Sequence, residues 1–381
     1  YLVGCQRTGE AIIIDPVRDL TKYMEVADSE GFTITQAAET HIHADFASGI
    51  RDVAEQLNAN VYVSGEGDDE LSYRNMPEQT HFVKHQDIIH VGNIKLEVLH
   101  TPGHTPESIS FLLTDEGGGS SVPMGLFSGD FVFVGDIGRP DLLEKSVQME
   151  GSTEVSAKQM YQSIESVKDL PDYIQIWPGH GAGSPCGKAL GAVPMSTLGY
   201  EKINNWAFNV TDESKFVETL TSNQPAPPHH FAQMKKINQF GMNMYQPYDV
   251  FPSLDNARIA FDLRSKEAFH GGHTEGTINI PYNQNFINQI GWYLDYENSI
   301  DLIGDKSTVE QAAHTLQLIG FDNVAGYRLP KSEILTQSIH SVDMTGKEEY
   351  ILDVRNEEEW NNGHLDQAVN IPPVSYTHLR A

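Results

Sequence analysis

The amino-acid sequence predicts an α/β fold divided among more than one domain, and three observations carry that expectation. Apolar residues alternate at period two in some stretches, such as Ile94, Leu96 and Val98, and recur at helical spacing in others, such as Ile50, Val53, Ala54 and Leu57. Residues able to bind a metal fall repeatedly where a predicted strand ends. The second half of the chain repeats itself. At 381 residues the chain exceeds what one core ordinarily serves, so two or three domains are expected.

Taken in order, Tyr1 to Asp15 reads as two short strands around a turn at Thr8-Gly9. The second strand is the buried run Ala11-Ile12-Ile13-Ile14, closed by Asp15-Pro16. A helix from about Leu20 to Glu30 follows, then a strand leading into Thr40-His41-Ile42-His43-Ala44-Asp45-Phe46. The helical spacing from Ile50 onward places that motif on a strand-to-helix loop, where side chains can face a ligand. Val61-Tyr62-Val63 is another strand. The strand Ile94 to Leu99 delivers His104, Gly125 to Ser128 delivers Asp130, and Ile174-Gln175-Ile176-Trp177 delivers His180. A lone histidine is usually structural, but strand ends bearing such groups one after another predict a metal site.

Composition narrows the class of function. Hydrophobic residues make up 39% of the chain, enough for folded cores rather than disorder. A net charge of -28 disfavours nucleic acid or an anionic membrane surface as partner. The two cysteines, Cys5 and Cys186, are too few for a disulfide framework and suit a reducing, cytoplasmic setting. No apolar run reaches the roughly 18 residues of a membrane span. The chain starts without Met inside an apparent strand, and Ser375 to Ala381 departs from the preceding pattern. The natural protein is therefore expected to begin earlier and to continue differently after about Pro373.

The order His41, His43, Asp45, His104, Asp130, His180 resembles the metallo-β-lactamase superfamily over residues 1 to 195. The resemblance implies an αββα sandwich of two mixed sheets flanked by helices, with the metal site along one edge. The superfamily pattern His-x-His-x-Asp-His breaks at its last position, where Phe46 has no lone pair to offer a second metal. A mononuclear centre is expected. Two histidines and one carboxylate with open positions suit non-haem Fe(II) and oxygen chemistry. The iron-containing branch, the persulfide dioxygenases, uses the equivalents of His41, His104 and Asp130, so the resemblance implies these as ligands of one Fe(II) per chain. His43, Asp45 and His180 would then orient ligands or a bound water, His180 being the alternative metal ligand.

Gly135 to Asp141 resembles the Gly-x-Arg-x-Asp segment of the same branch. Arg139 there either grips a substrate carboxylate through forked hydrogen bonds or holds a glycine turn with a surface aspartate. Cys186, close after His180 and beside Lys188, either carries a sulfane sulfur as a thiolate or is an inert packed thiol. Arg139, Cys186, His43 and Asp45 form the expected catalytic set. Cys5, inside a strand, reads as structural. Gly199 to Asn205, Pro225 to Pro228 and Met234-Lys235 resemble the tail of bacterial persulfide dioxygenases joined to rhodanese domains.

In the repeat, Asp262-Leu263-Arg264 aligns with Asp353-Val354-Arg355, Gly272-His273 with Gly363-His364, and Asn279-Ile280-Pro281 with Asn370-Ile371-Pro372, without a gap. Each copy reads as a strand ending in Asp-x-Arg, a short helix, a Gly-His turn and a second strand. This resembles the entry segment of the rhodanese fold, whose catalytic cysteine follows the next strand and holds a persulfide at a helix N-terminus. In the first copy Gly304 stands in that place, after Ile300-Asp301-Leu302-Ile303, so a structural or docking role is expected there.

The expected domains are a metallo-β-lactamase-fold dioxygenase over 1–195, a helical, proline-rich extension and linker over 196–243, a rhodanese-like domain without its cysteine over 244–335, and the start of a second rhodanese domain over 336–381. The resemblance implies oxidation of a low-molecular-weight thiol persulfide by O2 to sulfite and thiol. In the full-length protein, rhodanese sulfur transfer would then give thiosulfate, as in sulfide detoxification. A homo-oligomer is expected. The rival expectations are a zinc-dependent thioester hydrolase of the glyoxalase II type and a non-catalytic sulfur-relay protein.

Overall fold

The computed structural model describes the chain except residues 68–70, 143, 145–150, 182, 183, 185, 188–190, 223, 225, 226, 229, 248, 253–257, 331–336, 339–350, 356 and 372–381. Lys188, Pro225 and the stretch 375–381 thus lie outside the described residues. Two compact units emerge. One comprises Tyr1–Pro247 with Gln317–Gly320, and the other Tyr248–Leu316 with Phe321–Ala381.

The first unit opens with β1 (Leu2–Cys5), β2 (Glu10–Ile14), α1 (Thr21–Glu30), β3 (Thr33–Ala38), α2 (Ile50–Leu57), β4 (Asn60–Ser64) and β5 (Thr80–Val83). These five strands lie side by side in chain order, β1 antiparallel to β2 and the rest parallel. A second sheet contains β6 (Ile88–Val91), β7 (Ile94–His100), β8 (Ile109–Asp115), β9 (Gly125–Gly129), β10 (Gln175–Pro178) and β11 (Ser196–Thr197). Its order is β11-β10-β9-β8-β7-β6, antiparallel except where β9 meets β10.

Period-two alternation sorts the side chains into layers. Ile12 and Ile14 of β2 join Leu96, Val98, Phe111 and Phe127 between the sheets. Ile13 turns the other way and packs with Ala27 of α1 and Val53 and Ala54 of α2. On the second sheet Phe111 and Leu113 face inward, while Leu112 meets Met160 and Ile164 of α3 (Ser152–Val167). The result is helix, sheet, sheet, helix. Burial of these continuous apolar faces stabilises the sandwich.

Beyond β11 come α4 (Leu198–Asn204), α5 (Trp206–Asn209), α6 (Glu213–Thr221) and α7 (His230–Phe240). Phe208, Phe216 and Leu220 enter the same outer core as α3. The stretch expected as an extension and linker is thus part of the first unit, because its apolar residues complete that unit's core.

The second unit holds β12 (Ala260–Asp262), α8 (Lys266–Gly271), β13 (Ile278–Asn279), α9 (Phe286–Ile290), β14 (Ile300–Ile303), α10 (Lys306–Leu318) and β15 (Val324–Arg328). Its sheet is wholly parallel, in the order β13-β12-β14-β15. A separate parallel pair, β16 (Ile351–Asp353) and β17 (Ala368–Asn370), flanks the short helix α11 (Glu357–Asn361). The sequence repeat is a repeat of hydrogen bonds. Arg264 donates to Asp262 and to Gly272 O at 2.8 Å, as Arg355 does to Asp353 and to Gly363 O at 2.9 Å. Asn279 and Asn370 likewise each bridge two carbonyls of their Asp-x-Arg strand end.

Candidate metal centre

The motif that follows β3 meets loops leaving β7, β9 and β10, so residues far apart in sequence share one edge of the sandwich. His41, His104 and Asp130, all buried, bring one possible ligand atom each to within 4.8 Å of one another. Asp130 Oδ2 lies 3.5 Å from His104 Nε2 and 3.9 Å from His41 Nε2. On its other side, His180 Nε2 lies 3.3 Å from both Asp130 Oδ1 and Asp45 Oδ2. Asp45, His180 and Cys186 form a second group of ligand atoms within 4.8 Å.

Hydrogen bonds set the histidine tautomers. Thr40 gives its hydroxyl proton to Asp15 Oδ2 at 3.0 Å, so at the 3.0 Å contact with His41 the imidazole Nδ1–H must donate. His104 Nδ1–H donates to Arg139 O at 2.9 Å. Both Nε2 lone pairs are left facing Asp130. Burial holds His41 well below its ordinary pKa and His104 at about 4, so both are neutral near pH 7. Burial opposes charge on Asp130 too, but His180 and the other histidines hold its carboxyl well below the usual range. Both Asp130 oxygens are buried without a hydrogen bond among the described residues. Two imidazole lone pairs and an anion facing one point are unfavourable unless a cation lies among them. The donor set therefore fits a divalent metal.

The flanking groups carry charge of both signs. His43 Nε2 lies 3.1 Å from Asp15 Oδ1; burial works against its charge, but Asp15 prevails and raises its pKa to about 9. Asp15 adopts φ 53°, a left-handed conformation that aspartate tolerates better than most residues. Its other contact, from Thr40 N at 2.7 Å, anchors the start of the motif. From α7, Asn238 donates to His43 O at 2.9 Å and Phe46 O at 2.8 Å, and accepts from Ser48 N at 2.8 Å. Gly179 is required by close approach: a Cβ there would lie 2.6 Å from Asp130 Oδ1.

Two expectations change. Arg139 is fully buried, and its fork is spent on Asp141 through bonds of 2.7 Å from Nε and Nη2. It grips an internal carboxylate, not one offered from solvent, and its carbonyl orients His104. Cys186 is buried with Ala44, Phe133, Leu142 and Phe231, and burial pushes its thiol up to about 12. An activated thiolate is therefore not its resting state. Phe46 packs on His43, with ring centroids 4.3 Å apart, and leaves the second group without an imidazole from that position.

The metallo-beta-lactamase superfamily model matches residues 1–180, and the rhodanese-like domain model matches residues 336–380. A crystal structure of a metallo-beta-lactamase from Staphylococcus aureus subsp. aureus COL is 72% identical in sequence, with a TM-score of 0.83, covering 87% of this chain and 95% of that one. The chain belongs to the metallo-β-lactamase superfamily. A hydroxyacylglutathione hydrolase of Dictyostelium discoideum is 29% identical over 246 residues, 63% of this chain and 80% of that protein. The crystal structure of ETHE1 from Myxococcus xanthus is 27% identical, with a TM-score of 0.49, covering 63% of this chain and 92% of that one. A metal-binding site in a metallo-β-lactamase fold, followed by a rhodanese-like domain at the C-terminus, is thus the organisation of the molecule. No helix among the described residues is long and apolar enough to cross a membrane.

Proposed function

We propose that the first unit is a mononuclear non-haem iron dioxygenase that oxidises the terminal sulfur of a low-molecular-weight thiol persulfide. The overall reaction balances as persulfide, O2 and one water giving thiol and sulfurous acid, the sulfane sulfur losing four electrons to dioxygen. The observation carrying this reading is the pairing of a His41–His104–Asp130 donor set with a phenylalanine, Phe46, packed against His43 where an imidazole would serve a second metal. When bound, ferrous iron supplies the electron-transfer chemistry that joins O2 to a sulfur anion, which side chains alone cannot. Thr40 and the Arg139 carbonyl hold the two imidazoles with Nε2 inward. His180, charged between Asp45 and Asp130, holds at Nε2 a proton that the departing thiolate can take. A rhodanese-like domain in the same chain supports a sulfur substrate, since it suits onward sulfur transfer.

Metal analysis of anaerobically iron-loaded protein, with oxygen uptake on a synthetic persulfide, tests the reading. One iron per chain and persulfide-dependent uptake are expected; two zincs per chain without uptake would reject it. A zinc-dependent thioester hydrolase of the glyoxalase II type is the second reading. It is favoured by the Asp45–His180–Cys186 group, which offers donors for another cation, and by the likeness to a hydroxyacylglutathione hydrolase.

A further inference from the structure

We propose that Lys235 is an anion-binding residue of this centre, taking up the charge of a small sulfur anion drawn to the bound metal. The choice of a sulfur anion rests on the dioxygenase reading; the anion site itself rests on geometry. Lys235 projects from α7 and is only 4% exposed. Its ammonium donates to Ile42 O at 2.7 Å, its one bond among the described residues. Ile42 sits between His41 and His43, so the charge is inserted at the middle of the motif. Glu107 Oε1 is already engaged, accepting from Ile42 N at 2.9 Å.

An ammonium has three donors, and burying it with two unfilled costs several kcal/mol. Bracing a carbonyl does not require that cost. On the same helix the neutral amide of Asn238 braces His43, Phe46 and Ser48. The charge at 235 therefore needs a use beyond holding Ile42. Burial pulls its pKa below the ordinary lysine value, the mark of a charge short of solvation, while the charges of Glu107, Cys186, Asp130 and Asp45 act the other way. The whole chain carries a net charge of -28, which repels an approaching anion at long range. A buried cation beside the metal ligands offsets that repulsion where the anion must arrive, in surroundings that screen it little.

The test uses zinc-loaded protein, which is redox-inert, titrated calorimetrically with sulfite. Lys235→Gln retains a donor for Ile42 O but not the charge, and Lys235→Arg retains both. Wild type and Lys235→Arg are expected to bind sulfite, and Lys235→Gln to bind it at least about 10-fold more weakly with unchanged zinc content. Equal sulfite binding by Lys235→Gln, or none by wild type, overturns the proposal. Should Lys235→Gln fail to fold, the comparison passes to Lys235→Arg against His90→Gln, an exposed control on β6; loss of sulfite binding in the arginine variant alone then overturns it. Sulfite binding that depends on Lys235 supports the proposal even if the iron-loaded protein consumes no oxygen, so the two readings fail separately.

Discussion

Two strand ends hold comparable places in their sheets and differ in the residues each one leads to. In the first unit β9 runs parallel to β10 and hands the chain to Asp130, an anion buried among three histidines. In the second, β14 runs parallel to both its neighbours and hands the chain to Gly304. Only Gly304 and Asp305 separate β14 from α10, and Asp305 is spent capping that helix through Thr308 N at 3.0 Å. The C-terminal ends of parallel strands offer a fold's natural room for a ligand. Room becomes a site only where a loop is long enough, and its side chains polar enough, to present donors. The first unit meets that condition and the first copy of the repeat does not.

The strongest way to break this contrast is to remove a donor. His104→Ala or Asp130→Ala should lower metal affinity by at least about 100-fold, read by competition with a chromophoric chelator. Metal retained as in wild type would mean the three groups do not form the site. Gly179→Ala places a methyl group 2.6 Å from Asp130 Oδ1 and should displace the carboxylate, weakening metal binding by about 10-fold in the same assay. The His43–Asp15 pair sharpens the electrostatic half of the comparison. Its histidine rises from 6.5 to about 9 on folding, so its stabilisation is fully present below pH 6.5 and is lost as pH climbs through 9. Urea melts of metal-free protein should lose roughly 3 kcal/mol across that window, and a flat profile would show that the pair is not charged. The smallest effect is expected in the second unit. Gly304→Cys should leave thiosulfate:cyanide transfer unchanged from that of the unaltered chain, because a two-residue connection cannot surround a persulfide with amides. A clear gain would show that the thiol alone was missing.

Much of the first unit was legible because its signals are local. The helix α2 follows from Ile50, Val53, Ala54 and Leu57, and the three-isoleucine strand from its closing Asp-Pro. The strands β5, β6, β8 and β11 were not expected from the sequence; β8 is buried along all but its last residue because both its faces are covered, so Phe111, Leu112 and Leu113 run together and alternation is lost. The histidines and Asp130 were found because their residue types announce metal chemistry. Asp15, Thr40, Asn238 and Lys235 were not assigned to the centre, since such residues are common and their partners lie far off. Asn238 is 195 residues from His43. The one available cue to Asp15 was its place at the end of a buried strand.

Taken alone, the chain's letters determine the two periodicities, the order of strand ends, the repeat, and the absence of an imidazole at Phe46 and of a thiol at Gly304. These are properties of residue type and spacing, which folding cannot alter. Tertiary structure decides what those residues are chemically. It makes His41 and His104 neutral, His43 and His180 charged, Cys186 a reluctant acid and Arg139 an internal brace. Each outcome is set by desolvation and by charges within a few ångströms, and only the closed sandwich brings those charges together.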